Sequence, residues 1–400
     1  MYVKRGDKFD KIGVDNLKNF NELTIGIDAS RNRSGGAKSH LIGILSECDP
    51  AKHGIQAIHV WSYRSLLDQL PDYPWLIKHN PIALEKSILK QLVWQAATLS
   101  HEVKAAGCDI LFTTDASTLC RFKPMIILSQ DLLSYEPGVM QHYEYGVGRA
   151  RLLAILVLQN LAFRRANGVI FLTHYAAKVV QQSCGRLSSI VCIPHGLDAA
   201  FKRVQQVNSW PTAGERPTRC IYVSNAELYK HQWVVIKAIA ALRQRGYNLS
   251  LTLVGGGKGP AQKIIMDAMA SLDPNGVFVK QLEFLPKDEL LTHLALADLF
   301  VFASSCETFG ITLLEGMAAG LPIACSNRSS LPETLRDGGV YFDPEDEESI
   351  AMAIEQIIQS PALRSAIAQR AKTLSQEYSW KRCADETFSF IAEVFLRAKR

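Results

Sequence analysis

Short apolar runs alternate along most of the chain with longer segments in which apolar residues recur at helical spacing. The runs predict buried strands, and the amphipathic segments predict helices. The predicted strands are Leu23–Asp28, Ile55–Trp61, Asp109–Thr113, Met125–Ser129, Gly168–Leu172, Ile190–Ile193, Cys220–Val223, Leu249–Val254, Val277–Leu282, Leu299–Ala303 and Leu321–Cys325. The predicted helices are one that runs from Gly35-Gly36 through Leu45, then Ile88–Ala106, Arg149–Ala166, His174–Cys184, Trp233–Gln244, Ala261–Ser271, Asp288–Ala297 and Thr312–Ala319. This alternation implies right-handed crossovers and an α/β fold with parallel sheets.

A polar segment divides the alternation into two halves. Between Asp198 and Arg219 the apolar runs give way to polar residues, prolines and glycine. A chain of 400 residues is long enough for two or three domains. We therefore predict one domain over 1–200 and another over 201–379, followed by an amphipathic helix at about 380–400.

The charge balance limits the classes of binding partner that we expect. The formal net charge is +5, and all of it lies in residues 1–200, where 22 Lys and Arg face 17 Asp and Glu. No run of five or six basic residues occurs, and basic residues interleaved with aromatics are absent. Nucleic-acid binding is therefore not expected. A phosphate-bearing partner, an anionic membrane surface or a merely solvated basic face all remain open.

Cysteine usage and hydropathy indicate a reducing compartment. The nine cysteines are an odd number without Cys-x-x-Cys spacing, which disfavours zinc sites and disulfide scaffolds. The segment from Met1 to Asn21 has no apolar core of a signal peptide. The apolar stretch Leu152–Phe163 is too short to span a bilayer. We expect a cytoplasmic protein. The helix Arg149–Ala166, with arginines at both ends, suits either a peripheral membrane contact or a core helix with capped ends.

Two glycine-rich loops follow predicted strands. Ser34-Gly35-Gly36-Ala37 comes after the first strand, where glycines let the backbone approach a phosphate at a helix N-terminus. Gly255–Pro260 matches neither the dinucleotide-binding nor the P-loop spacing. Each loop is either a ligand contact or simply a tight turn.

Two glutamates flank the start of a predicted helix in the segment 305–322. Glu307 lies in the strand-to-helix loop, and Glu315 follows eight residues later inside the helix. Gly310 permits a sharp entry to the helix, whose first backbone amides are unpaired and attract an anion. The arrangement suits a negatively charged, hydroxyl-rich ligand. The alternative is a pair of surface glutamates at a helix start.

The same segment resembles the Glu-x7-Glu signature of the retaining glycosyltransferases of family 4. The resemblance extends to the residues Gly-Met-Ala-Ala-Gly-Leu-Pro at 316–322, to Ile-Pro-His-Gly-Leu-Asp at 193–198, and to Tyr222–Asn225 with Lys-His-Gln at 230–232. It also includes the Gly35-Gly36 loop. It implies a GT-B fold, in which two Rossmann-like parallel-sheet domains face a central cleft and the last helix packs back on the N-terminal domain. It further implies a bacterial polysaccharide or O-antigen type of enzyme.

The resemblance assigns roles to individual residues. Glu307 would hold hydroxyls of the donor sugar, Glu315 the nucleotide ribose, and Lys230 the charge of the departing diphosphate. It also implies that backbone amides near Phe309 to Thr312 bind the sugar and diphosphate. The residues that we predict at the donor are Asn225, Gly255, Gly256, Thr308, Phe309, Gly310, Ile311 and Thr312. The phosphate and acceptor loops would contribute Gly35, Gly36, Lys38, Gln130, Asp131 and His195.

The chain departs from the family pattern at two places. Asn225 stands where family members commonly have an arginine, so that one cation is missing or is supplied by Arg31, Arg33 or Lys38. Gln130-Asp131 stands where close relatives often have His-Asn. Gln130 can donate a hydrogen bond to a sugar hydroxyl but is no acid or base. Asp131 is either a base or a loop cap.

We therefore expect an enzyme that transfers a hexose from a nucleoside-diphosphate sugar to a hydroxyl of a glycan or lipid-linked acceptor. No Asp-x-Asp occurs, and the acidic cluster Glu345–Glu348 suits a solvated helix start, so neither a metal nor a cofactor is expected. A peripheral contact with the inner membrane fits the basic N-terminal half. The alternatives are a nucleotide-sugar epimerase, a glycan phosphorylase, or a non-catalytic scaffold with a degenerate site.

Overall fold

The chain forms two parallel β-sheets. The computed structural model describes residues 23–33, 35–143, 146–207, 209–212 and 215–399. The strands are β1 Leu23–Asp28, β2 Ile55–Trp61, β3 Leu76–His79, β4 Ile110–Thr113, β5 Met125–Ser129, β6 Gly168–Phe171, β7 Ile190–Cys192, β8 Thr218–Val223, β9 Leu249–Val254, β10 Val279–Leu282, β11 Leu299–Phe302, β12 Ile323–Ser326 and β13 Val340–Phe342. The expectations for Met1–Asn21 and for Ser34 fall outside the described residues.

The strand order confirms the predicted α/β class with one parallel sheet per half. The first sheet has the order β3-β2-β1-β4-β5-β6-β7 and the second β10-β9-β8-β11-β12-β13. We call the unit built on the first sheet the N-terminal domain and the other the C-terminal domain. The limits 1–200 and 201–379 remain predictions. Sequence patterning missed the edge strands β3 and β13, because β3 has only two apolar residues before Lys78 and the apolar run of β13 is three residues long.

Helices cover both sheets. They are α1 Gly35–Ser46, α2 Arg64–Leu67, α3 Ile88–Ala97, α4 Leu99–Ala105, α5 Val147–Arg165, α6 His174–Cys184, α7 Ala199–Lys202, α8 Gln232–Gln244, α9 Pro260–Leu272, α10 Lys287–Leu296, α11 Ile311–Ala318, α12 Leu331–Leu335, α13 Glu347–Gln359, α14 Pro361–Ser375 and α15 Trp380–Ala398. The single helix predicted over Ile88–Ala106 is wrong, because the chain breaks at Thr98 into α3 and α4. The Trp94 indole bridges the break by donating to Glu102 Oε1 at 3.0 Å.

The cores lie between the sheets and these helices. The central strands β1, β4, β5, β11 and β12 are buried along their whole length, as expected for parallel strands covered on both faces. No helix of the described residues is long and apolar enough to cross a membrane.

The last helix, α15, contacts the N-terminal domain. The Trp380 indole fills the space above Gly43 of α1 and above Gly196, where an added Cβ would lie 2.2 and 2.4 Å from Trp380 Cδ2. Farther along, the Phe390 ring lies against Gly168 of β6 in the same way. Both contacts depend on glycine, because any side chain there would occupy the position of an aromatic ring.

Candidate active site

The loop between β11 and α11 meets the carboxyl ends of β5 and β6. Thr308 donates its hydroxyl to the carbonyl oxygen of Gln130 at 3.0 Å, and Thr173 donates its hydroxyl to the carbonyl oxygen of Thr308 at 2.9 Å. Gln130 follows β5 and Thr173 follows β6, so the strand ends of one domain touch the helix start of the other. Ligands of α/β proteins bind at such edges.

Glu307 and Lys230 form an ion pair in this loop region. Lys230 Nζ bonds Glu307 Oε1, and the two side chains are 9% and 15% exposed. The Lys230 ammonium also lies 5.1 Å from the Tyr229 ring centroid and 5.6 Å from that of Phe302. The two residues that the sequence assigned to catalysis are thus in direct contact, in surroundings that exclude most water.

The backbone of Glu307 is held by two serines. Ser329 Oγ accepts a hydrogen bond from the Glu307 amide at 3.0 Å, and Ser330 donates its hydroxyl to the Glu307 carbonyl oxygen at 2.8 Å. These bonds fix the loop from the side of β12. The carboxylate therefore projects from a rigid backbone, which favours a positioning role over a freely moving surface glutamate.

Glu315 lies one turn into α11. Gly310 directly precedes this helix and has a φ of +84°, a backbone conformation that favours glycine. Among the described residues, none accepts a hydrogen bond from the amides of Gly310, Ile311 or Thr312. Burial raises the pKa of the half-buried Glu315 carboxyl to about 8, and the nearby Asp198 adds to the shift. The carboxyl is thus mostly protonated at neutral pH before any ligand binds.

The Gly35-Gly36 loop faces the same helix start. A Cβ on Gly36 would lie 4.0 Å from Ile311 Cγ2, so the glycine loop of the N-terminal domain and the first turn of α11 form opposite sides of one gap. Arg31 is paired with Asp115 at 2.8 Å, and the Arg33 guanidinium lies 3.5 Å from the Tyr63 ring centroid. Lys38 has no ion-pair partner in the part of the chain that the structure describes, which makes it the available cation of the three.

Residues 208–374 match the family model described as glycosyl transferases group 1. The chain is 34% identical to the O-antigen chain mannosyltransferase B of Escherichia coli over 112 residues, which cover 28% of this chain and 29% of that protein. It is 32% identical to a glycogen synthase of Mycobacterium tuberculosis over 221 residues, 54% of this chain and 50% of that protein. The chain thus spans half or less of the length of these two curated relatives.

Solved structures agree over almost the whole chain. Sucrose-phosphate synthase from Thermosynechococcus elongatus aligns with a TM-score of 0.77 at 16% identity, covering 94% of this chain and all of that one. The Anabaena protein HepE in complex with UDP and glucose aligns with a TM-score of 0.69 at 19% identity, covering 92% and 98%. The chain has the GT-B fold. The identity is too low for these structures to show more than the fold.

In the C-terminal domain, the second glycine loop supports the end of β8. Gly255 has φ of +105°, and a Cβ there would lie 2.5 Å from the Ser224 carbonyl oxygen. Gly256 accepts a hydrogen bond from the Ala226 amide at 3.2 Å. The loop therefore packs on residues 224–226 and leaves Asn225 exposed at the strand end. Asn225 adds no charge to this part of the cleft.

His195 lies in a buried ring cluster. Its Nδ1 is 2.9 Å from Nδ1 of His40, and its ring meets the rings of Phe309 and Trp380 edge to face at centroid distances of 5.4 and 6.0 Å. Burial lowers the pKa of His195 to about 3. The ring is therefore neutral. This environment favours a packing role for His195 over the contact with phosphate that the sequence analysis predicted.

Gln130 and Asp131 lie at the end of β5. Gln130 donates its side-chain amide to the Thr114 carbonyl oxygen at 3.0 Å, so that this group is already used within the domain. Asp131 accepts from the Leu133 amide at 2.9 Å, as a loop cap does. Neighbouring residues exclude water from around the Asp131 carboxyl and so raise its pKa. The residue as a whole is nevertheless exposed at the surface. The loop-cap role that the sequence offered is thus present in the structure, and the base role stays a prediction.

Sequence reasoning missed a buried acid that reaches across the cleft. Glu136 of the N-terminal domain accepts the Tyr175 hydroxyl at 2.5 Å and lies 2.7 Å from Ser329 Oγ. Ser329 is the serine that bonds the Glu307 amide. Glu333 of the C-terminal domain similarly accepts the amides of His174 and Tyr175, both at 2.8 Å. No motif marks these residues, because each is useful only through a partner on the other domain.

The sequence also predicted no metal site, yet His142, His231 and Glu345 could hold a metal ion. Burial lowers the pKa of His231 to about 4, with the neighbouring His142 as the second cause. The three residues are 89 and 114 positions apart along the chain, so no local spacing could have indicated them.

Proposed function

We propose that this chain is a retaining glycosyltransferase of the family 4 type, which transfers a hexose from a nucleoside-diphosphate sugar to an acceptor hydroxyl. The observation that carries the proposal is the Lys230–Glu307 pair between the start of α11 and the end of β8. A cation, a carboxylate and free helix-start amides in one gap match the diphosphate and the hydroxyls of such a donor.

The chemistry follows from where charge develops. As the bond from sugar to phosphate breaks, negative charge grows on the leaving diphosphate, and Lys230 with the amides of residues 310–312 stabilises it. Glu307 turns from Lys230 toward the sugar hydroxyls and holds the ring in place. The leaving phosphate oxygen takes the proton of the acceptor hydroxyl on the same face, so that no protein base and no metal are needed.

Glu315 completes the donor site at the ribose. A protonated carboxyl donates one hydrogen bond and accepts another, which suits a hydroxyl-bearing ring in a poorly solvated pocket. The Anabaena structure named above contains UDP and glucose, and other curated relatives are named as mannosyltransferases and glycogen synthases. These names support a nucleotide-linked hexose as donor and a growing glycan as acceptor.

An apolar stripe on the N-terminal domain supports a lipid-linked acceptor. On α5, the exposed fractions of Leu153, Val157 and Leu161 are 47%, 58% and 50%, and their spacing of four residues places them on one face. Leu152, Ala162 and Phe163 of the same helix are buried, so one face packs on the core and the stripe lies on the exposed face. Because such a stripe is unfavourable in water, we propose that it rests on a membrane surface.

A second apolar patch lies on the same side. Leu89 and Val93 of α3 are 68% and 59% exposed. The crossovers that contain α3 and α5 run in the same direction along the sheet, which places both helices on one face. The exposed Lys90 and Arg151 beside the two stripes suit anionic lipid headgroups. We propose a cytoplasmic protein that binds the inner membrane at its periphery.

Calorimetry with purified protein tests the donor site. UDP-, GDP-, ADP- and dTDP-sugars are titrated with EDTA present, into the wild type and into Glu315→Ala. We expect the wild type to bind one nucleotide class saturably and Glu315→Ala to lose this binding. The control is Glu289→Ala, which changes an exposed carboxylate of α10 and should bind like the wild type. If the wild type binds no nucleotide, the result would contradict the proposed enzyme and support the alternative of a non-catalytic scaffold.

Product analysis separates the enzyme alternatives. A glycosyltransferase consumes donor only when an acceptor is present, and it does so in EDTA. Conversion of the donor sugar without acceptor would identify an epimerase, and a requirement for free phosphate would identify a phosphorylase. A strict requirement for Mn²⁺ would contradict the metal-free mechanism.

A further inference from the structure

Three potential metal ligands from distant parts of the chain meet next to Lys230. His142 lies in the 3₁₀ turn Val139–His142 of the N-terminal domain, whereas His231 and Glu345 belong to the C-terminal domain. One ligand atom of each residue lies within 4.8 Å of the other two. His142 Nε2 and Glu345 Oε1 are 3.3 Å apart, and the two imidazole rings meet edge to face with centroids 5.4 Å apart.

The distances suit zinc. Two imidazoles and one carboxylate are a ligand set that proteins use for this ion, and tetrahedral bonds of about 2.0–2.1 Å separate neighbouring ligand atoms by roughly 3.3 Å. The separation of His142 Nε2 and Glu345 Oε1 has this value. The side chains of His142 and Glu345 are 26% and 54% exposed, so both can rotate to complete the approach to His231.

His231 is the fixed member of the group. The residue is 2% exposed, and its Nε2 lies 2.8 Å from Ser305 Oγ. An outer hydrogen bond of this kind orients an imidazole ligand, and with Nε2 on Ser305 the other nitrogen, Nδ1, is left for the metal. The two more mobile ligands therefore close on a ring that is already held in place.

The geometry points to a zinc site formed by His142, His231 and Glu345, with water in the fourth position, that joins the two domains beside Lys230. The ion takes no part in sugar transfer. Because one ligand belongs to the N-terminal domain and two to the C-terminal domain, zinc stabilises the arrangement in which the domains touch. Zinc would thus control how readily the cleft opens.

Calorimetry with zinc chloride on the full chain, previously dialysed against EDTA, tests the site directly. We expect one zinc per chain for the wild type, and at least about 10-fold weaker binding in His142→Ala and in Glu345→Gln, since even outer-shell changes at metal sites weaken binding by 10–100-fold. Two substitutions serve as controls, His101→Ala and Glu289→Gln, both at exposed positions. Binding that survives in both ligand variants would overturn the site.

Hydrogen exchange tests whether the ion bridges the domains. Zinc should slow exchange at residues 139–142 and at 343–346 together in the wild type, and at neither segment in His142→Ala. Protection of only one segment would overturn the bridge. Equal melting temperatures of wild type and variants in EDTA show that the variants fold. Neither measurement depends on catalysis, so both hold whether or not the chain transfers sugar.

Discussion

Glu307 and Lys230 neutralise each other in the cleft without ligand. A buried ion pair gains little net stability, because desolvation offsets the attraction, but removing one partner leaves a costly unpaired charge. Stability alone therefore does not account for the pair. In the mechanism that we propose, a diphosphate bound to Lys230 would release the Glu307 carboxylate toward the sugar, so that donor binding would prepare the site.

Replacing Glu307 with glutamine tests this carboxylate. The amide keeps the volume and can still accept a hydrogen bond from Lys230, so the fold should persist. Turnover should fall by on the order of 100-fold or more, because the charge that orients the donor is lost. Transfer rates and melting temperatures are measured beside Glu289→Gln. Unchanged turnover would remove Glu307 from the mechanism.

Glu315 predicts a specific pH dependence of stability. Its pKa in the folded chain is about 8, against an ordinary value of 4.5. The folded state therefore holds a proton that the unfolded state has lost over this interval, so that stability declines as the pH rises from about 4.5 to 8. Glu315→Gln removes this decline.

Melting temperatures from about pH 5 to about pH 10 measure the effect of Glu315→Gln, since the range must extend beyond the raised pKa. The glutamine variant should gain stability relative to the wild type as the pH rises, and the difference should level off above pH 8. Glu289→Gln is the control. A difference that stays constant with pH would show that the Glu315 carboxyl is not protonated in the folded chain.

At the scale of elements, the loop between β11 and α11 is held from both domains. Glu136 accepts hydrogen bonds from the hydroxyls of Tyr175 and Ser329, and Ser329 in turn accepts a hydrogen bond from the Glu307 amide. Closing of the two domains would therefore affect the position of the Glu307 carboxylate through Glu136 and Ser329. Glu136 is a positioning residue, because it acts only through Ser329.

Glu136→Ala should lower kcat by about 10-fold, since a lost hydrogen-bond partner of a buried polar group costs about 1–3 kcal/mol. The KM of the donor should change much less, because both Glu136 oxygens bond to groups of the protein. In Glu136→Gln the amide oxygen can accept from Ser329 and the NH2 group can donate to the Tyr175 hydroxyl, so this variant should restore most of the rate. Steady-state kinetics measures both constants. Failure of glutamine to restore the rate would point to a different role.

At the scale of the whole molecule, the two domains differ in the charge and the exposed apolar surface that they carry. The excess positive charge and the apolar stripes of α3 and α5 lie in the N-terminal half, whereas the residues of the donor site come mainly from the C-terminal domain. A water-soluble donor and a lipid-linked acceptor would then approach the cleft from different sides.

Val157→Asp tests the membrane surface. Burying a valine side chain contributes about 1.5 kcal/mol or more, so the variant should bind phosphatidylglycerol vesicles roughly 10-fold more weakly in a sedimentation assay. Met266→Asp, at an exposed position of α9, should bind like the wild type. Equal binding of Val157→Asp and wild type would rule out the α5 stripe as the contact.

Much of the fold was predictable because its signals are local. Apolar runs identified eleven strands close to their observed positions, since central parallel strands are buried on both faces and need continuous apolar sequence. The edge strands β3 and β13 and the break at Thr98 were missed, because the apolar runs of the two strands are only two and three residues long and no glycine or proline marks the break. Glu307, Glu315 and Gly310 were identifiable for a similar reason, as they lie within one strand-loop-helix segment.

By itself, the sequence determined that two parallel sheets alternate with helices and that a Glu-x7-Glu segment begins a helix after a strand, since these depend on neighbouring residues. Only the tertiary structure decided that Lys230 lies on Glu307, that Glu136 reaches Ser329, and that His142, His231 and Glu345 meet. The Lys230–Glu307 pair joins the segments after β8 and β11, which are neighbours in the second sheet. The other two groups form where the two domains dock, on surfaces assembled from distant segments. Their chemistry arises from proximity in space, which spacing along the chain does not encode.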